Sequence, residues 1–176
     1  MSKKKETVSE TIDPAKFFDK ENYQTIIVGK EEETETENSK DKILALIELL
    51  SSKETKDLKH DTLKILKEAK GLDLLMKAIN KSKNQLVKQY LVAACWEADL
   101  ECTKHLSYFV DLALNNDFNV TMEATTVIQE MQGPFNGEEL KQNITKIEDG
   151  IKLYSKEDKG ALLDQLLNVL QTFSGK

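Results

Sequence analysis

Between residues 41 and 176 apolar side chains recur every three to four positions, the period of an amphipathic helix, and the pattern predicts eight helices in succession. Ile43, Leu46, Ile47 and Leu50 carry the first, which Ser51–Glu54 ends. Leu58, Leu63, Leu66 and Ala69 carry a second that stops near Gly71, and Leu74, Leu75, Ala78 and Ile79 a third that Lys81-Ser-Lys-Asn84 ends. The fourth, Gln85–Ala98, is the most apolar: Val87, Leu91, Ala94, Cys95 and Ala98 line one face, with Val92 and Trp96 on the next. A helix apolar over that much of its circumference is expected to be buried on several sides. Leu106, Phe109, Val110 and Ala113 mark a fifth helix, and Val120, Ala124, Val127, Ile128 and Met131 a sixth that Gly133-Pro134 closes. Leu140, Ile144, Ile147, Ile151 and Tyr154 mark the seventh, and Leu162, Leu163, Leu166, Leu167 and Leu170 the eighth. Glycine and proline fall between these segments, as helix breakers should, except for Gly150 inside the seventh. No stretch of 41–176 calls for a strand.

The helices relate to one another by shifts along the chain. Moving residues 46–69 forward by 29 places Leu46, Ile47 and Leu50 on Leu75, Met76 and Ile79, and Leu58, Leu63, Leu66 and Ala69 on Val87, Val92, Cys95 and Ala98. A further shift of 33 brings Val87, Cys95 and Ala98 onto Val120, Ile128 and Met131. A shift of 42 brings Val120, Ile128 and Met131 onto Leu162, Leu170 and Phe173, the extra length entering around Gln132–Glu139. Four helix pairs, each burying its face only against its neighbours, are what an α-solenoid requires. On these apolar positions the region 41–176 resembles HEAT or armadillo-type repeats, although no pair carries the proline kink or the turn-following arginine common in HEAT units. The resemblance implies an all-α right-handed superhelix of about four helix pairs. A compact helical bundle without superhelical order is the competing fold.

Residues 1–40 read differently. Residues 1–12 are polar and expected to be disordered. Asp13-Pro14 opens a short helix through Phe17 and Phe18, and Tyr23, Ile26, Ile27 and Val28 extend the apolar segment of residues 13–28. An acidic linker, Gly29–Ser39, follows. The 13–28 segment either caps the first helix pair, the first expectation, or acts as a tethered motif for a partner.

Composition narrows the use. The net charge of −6 argues against a general affinity for nucleic acid or anionic membrane, and all 25 basic residues are lysines. The absence of arginine removes the fork that clamps phosphates and reads guanine edges. Two cysteines are too few for a disulfide framework, and Lys3–Lys5 leads into Glu6, Thr7, Val8 and Ser9 where a signal peptide would have an apolar run. A reducing cytoplasm is the expected location.

Candidate chemistry is sparse. No phosphate loop, Gly-x-Ser-x-Gly or His-Glu-x-x-His motif occurs. Cys95, Cys102 and His105 make the best metal or thiol constellation, the alternative reading as a metal-binding protein or enzyme. Cys95, however, falls on the core stripe, where cysteine behaves as a small hydrophobe. The first expectation is therefore a non-enzymatic adaptor without metal or cofactor. Resemblance to a solenoid implies that the second helices line the concave face where partners lie, with Lys59, Lys64, Lys88, Gln89, Thr121, Thr125 and Gln129 exposed there. That surface is mixed and mostly uncharged, suited to a protein or peptide, with a homo-oligomer as a third possibility. Trp96 reads first as core near a helix end and second as a partner contact. Glu97, Asp99 and Glu101 read as a solvated turn. With Ala94 on the core stripe, Ala94→Asp is expected to unfold the domain, measured as loss of the helical circular-dichroism signal; a folded variant would move that helix out of the core.

Overall fold

The computed structural model describes residues 70–174 in full, residues 61–68, the backbone of residues 56–60 and, before them, Ala45, Ile47 and Leu50. The 1–40 arm with its 13–28 segment, most of the first expected helix and the Lys59 side chain lie outside the described residues. Among the described residues every regular element is helical. The elements with defined bounds are α1 (Lys56–Glu68), α2 (Leu72–Lys81), α3 (Gln85–Glu97), α4 (Leu106–Asn115), α5 (Phe118–Glu130), α6 (Gly137–Leu153) and α7 (Asp158–Phe173). A 3-10 turn, Thr103–His105, leads into α4. Ala45, Ile47 and Leu50 are helical as well, the last two buried.

Helix ends follow from local chemistry. Asn84 caps α3 by accepting from the backbone N–H of Leu86 and Val87, and Asp117 caps α5 by accepting from that of Val120. These two caps stand 33 residues apart, the shift that aligns the apolar positions of the same helices. The C-terminal ends match in the same way. At the end of α1 the Lys70 N–H donates to the Lys67 carbonyl at 3.1 Å and the Gly71 N–H to the Leu66 carbonyl at 3.0 Å. At the end of α3 the Asp99 N–H donates to Trp96 and the Leu100 N–H to Cys95, both at 3.0 Å. Each is a Schellman closure, and the residue it forces into the left-handed region is Lys70 (φ 51°) in one and Asp99 (φ 49°) in the other. Donors, acceptors and left-handed residues all differ by 29 positions. The end of α5 departs from this: Met131 is extended, and a cis Gly133–Pro134 bond follows.

Packing alternates along the chain. Helices adjacent in sequence pack as α2 on α3, α4 on α5 and α6 on α7, while α5 also packs on α3 and on α7. Helices α4 and α6 touch each other, joined by a relay in which Asn143 Nδ2 donates to Ser107 Oγ at 2.9 Å and Ser107 Oγ to Glu139 Oε1 at 2.7 Å. Tyr108 on α4 reaches back to α2, its hydroxyl donating to Asn80 Oδ1 at 3.1 Å. One continuous core results, in which Leu66, Leu75, Ile79, Val92, Phe109, Ile128, Ile147, Leu163 and Leu170 are fully enclosed. A leucine or phenylalanine so placed contributes about 1.5–3 kcal/mol. Ala94 is among the enclosed residues.

Gly150, the helix-interior exception, marks a close approach: a Cβ there would press on Leu114 Cδ2 of α4. A second contact ties α7 to α4. Lys159, only 7% exposed, directs Nζ to the carbonyls of Leu114 and Asn116, each at 2.7 Å, and lies 4.2 Å from the centre of the Tyr154 ring. The ammonium thus satisfies two carbonyls at the C-terminal end of α4, where the helix dipole favours a cation.

The two left-handed turns generate a test. An L-residue in that region costs roughly 1–2 kcal/mol and glycine far less. The exposed Lys67–Asp99 ion pair lost in one variant is worth little. Lys70→Gly and Asp99→Gly are therefore each expected to stabilise the domain by about 1 kcal/mol, read as a higher denaturant midpoint. Destabilisation by either would contradict the assigned turn.

Candidate functional site

Because α5 is packed on α3, α4 and α7, only a narrow strip of it reaches solvent. That strip is Phe118, Asn119, Met122, Gln129 and Glu130, with Thr126 half-buried within it and Glu123 half-buried at its edge toward α3. The spacing is one helical face. On α3 the matching surface is Leu86, Gln89 and Trp96. Glu123 binds the two strips together: its Oε2 accepts from Trp96 Nε1 at 3.0 Å and its Oε1 from Gln89 Nε2 at 3.3 Å. Leu86 (44% exposed), Met122 (39%) and Trp96 (37%) are thereby large apolar side chains left open to water on one helical layer. An indole that is half open and fixed by its N–H is the kind of side chain that anchors partners.

Several sequence expectations are corrected here. Thr121 and Thr125, expected on the exposed face, are buried, at 0% and 3% exposure. The hydroxyl of Thr121 lies 2.8 Å from the carbonyls of Ala113 and Asp117, and that of Thr125 donates to the Thr121 carbonyl at 2.8 Å. With the hydroxyl satisfied by backbone, threonine enters a core at little cost. The open strip lies one residue further on, at Met122 and Thr126: Met122 was missed because methionine reads as core, and Thr126 because residue type does not separate it from Thr125. Trp96, expected first in the core, stands at the surface, while Val92 on the same stripe is enclosed. Gln129 is exposed on α5, whereas Gln89 is half-buried with its amide turned to Glu123. Lys88 does not lie free there: it is half-buried, and its Nζ donates to Asn116 Oδ1 at 2.9 Å. Lys64 is exposed on α1.

At the C-terminal ends of α1, α3 and α5 the layer opens into a small cavity of about 290 Å³. Lys67, Cys95, Trp96, Asp99, Glu101, Cys102 and Glu130 are among its walls. Glu130, Met131 and Gln132 are shared with an adjoining cleft of about 1040 Å³, whose far side is Pro134, Phe135, Val169 and Phe173, with the two phenylalanine rings stacked at 4.4 Å. The Thr103 side chain beside it and the Thr103 backbone N–H, which donates to Glu101 Oε1 at 3.0 Å, hold the Glu101 carboxyl below its ordinary value. Cys95 and Cys102 are both buried as free thiols. The Cys102 side chain beside it, and then burial, push the Cys95 thiol well above the usual value, the setting of an inert structural cysteine. His105 lies at the end of the 3-10 turn, half-buried. Among the described residues no group of three or more His, Cys, Asp and Glu side chains converges as metal ligands. Nor, among them, is any helix long and apolar enough to cross a membrane.

Thiol chemistry checks this description. Iodoacetamide at about pH 8 is expected to leave both cysteines of the folded chain unmodified and to label both after denaturation, as read by intact mass. Rapid native labelling of Cys95 would show it to be a reactive thiol. Against protein-family models, curated proteins and solved structures, the chain finds no significant match.

Proposed function

We propose that this chain is a non-enzymatic interaction module, an α-solenoid of about four helix pairs of the HEAT or armadillo kind, binding a protein or peptide on the layer formed by α3, α5 and α7. The observation that carries the reading is the row of open apolar side chains, Leu86, Trp96 and Met122, on that layer. A monomeric surface seldom leaves such residues grouped without a use. Two further features support the solenoid arrangement. Packing alternates between neighbours within a pair and neighbours in the next pair. Capping residues also recur at the same 29- and 33-residue offsets as the apolar positions. Glu123 organises the surface by fixing Trp96 and Gln89 in place, so that less side-chain freedom is lost when a partner docks.

The test is comparative capture from native lysate. Wild-type chain and a Trp96→Ala/Met122→Ala double variant are immobilised, and both are checked for helical content and melting. The partner retained by the wild type is expected to fall by about ten-fold or more with the variant, as hot-spot truncations do, while helicity is unchanged. Equal retention by a folded double variant would remove this layer as the binding surface.

A further inference from the structure

The distribution of charge over the three helices of this layer narrows the chemistry of the partner. Of the 25 lysines in the chain, α3, α5 and α7 hold two, Lys88 and Lys159. Neither serves the open face. Lys88 Nζ donates to Asn116 Oδ1, and Lys159 Nζ is buried against the carbonyls of Leu114 and Asn116, so both are drawn to the end of α4. Lysines lie on the flanking helices: Lys56, Lys59, Lys64 and Lys67 on α1, of which Lys67 pairs with Asp99 at the wall of the small cavity, Lys77 and Lys81 on α2, and Lys141, Lys146 and Lys152 on α6.

Carboxylates have not been cleared from the open layer in the same way. Glu123 stands at the α3–α5 junction, and Glu130 stands on the wall shared by the two adjoining clefts. Both oxygens of Glu123 are held by neutral donors, the Gln89 amide and the Trp96 indole, which orient the charge without cancelling it. The ion pairs among the described residues, Lys67–Asp99, Lys146–Asp111 and Lys152–Asp149, do not include it. Fixed negative charge therefore lies beside exposed Trp96, while the exposed amides of Gln129 and Asn168 line the larger cleft with Glu130. Such a surface repels phosphates and attracts ammonium or guanidinium groups carried on an apolar strand or helix.

We infer that the layer of α3, α5 and α7 receives a cationic, amphipathic peptide segment, its Lys or Arg side chains against Glu123 and Glu130 and its apolar side chains against Trp96 and Met122. This rests on the interaction-module reading above and adds the partner's chemistry to it.

The experiment uses the full chain and two labelled synthetic probes of equal length, an amphipathic Lys/Leu peptide and its Glu/Leu counterpart, followed by fluorescence anisotropy at low and high salt. Binding of the Lys/Leu probe alone is expected. Glu123→Gln/Glu130→Gln should weaken it by about ten-fold, with Gln keeping an acceptor for the Trp96 indole. A control pair with the same change in net charge, Asp73→Asn/Glu148→Gln on α2 and α6, should leave it unchanged. Equal weakening by both pairs would reduce the attraction to net charge and overturn the inference, as would equal binding of the two probes. Loss of binding in Trp96→Ala/Met122→Ala but not in Glu123→Gln/Glu130→Gln would keep the interaction face and overturn its cationic preference. Insensitivity to both pairs would overturn the two readings together. A dimer in sedimentation that dissociates in Trp96→Ala/Met122→Ala would assign the face to a second copy of the chain and likewise overturn it.

Discussion

The enclosure of α5 on three sides is the constraint from which most of the structure follows. A helix that packs on α3, α4 and α7 at once must present small or self-satisfied side chains on all three contacts. Val120, Ala124, Val127 and Ile128 meet that need with apolar groups, and Thr121 and Thr125 meet it by returning their hydroxyls to backbone carbonyls. What remains is a strip of α5 that no other described residue covers, and its edges are set by the helices on either side. The surface proposed for binding is thus the remainder left by packing. Its position is as fixed as the core itself.

The same constraint accounts for what could be read from the sequence. The order of the helices from α1 onward was legible because turn-forming residues, Gly71, Lys81–Asn84, Asn115–Asp117 and Gly133-Pro134, interrupt a steady three-to-four spacing of apolar positions. The shifts of 29 and 33 were legible from the same positions, although the left-handed turn at Lys70 and Asp99 was not, since neither lysine nor aspartate announces that conformation as glycine does. In the sequence reading the open strip was displaced by one residue on α5, from Met122 and Thr126 to Thr121 and Thr125. Residue type misleads at the first position, where a threonine with its hydroxyl on backbone carbonyls is buried and a methionine is left open, and is silent at the second, where both residues are threonine. Trp96 was placed inside for a related reason. Its stripe includes Val92, but Val92 lies on the flank of α3 that turns inward, and a rotation of that helix too small for periodicity to resolve separates the two.

Lysine 159 shows how local and long-range order meet. The C-terminal carbonyls of α4 need donors, and the chain supplies one from α7, more than forty residues away. Tyr154 covers the stem and ring face of the same ammonium. Together with the close approach at Gly150, this fastens the last helix pair to the one before it at a polar point, complementing the apolar contact of Leu163, Leu166 and Leu170. Such a pairing also holds lysine off the open layer, so that a stabilising contact and the charge character of the surface have one cause.

Trp96 is the chain's one tryptophan, and its indole is half open beside a carboxylate it is bonded to. The emission of an indole depends on the water and charge around it, so the protein carries an intrinsic optical reporter at the surface where docking is proposed. Any molecule that dehydrates this ring or draws Glu123 away from it would register as a change in colour or lifetime, with no label attached.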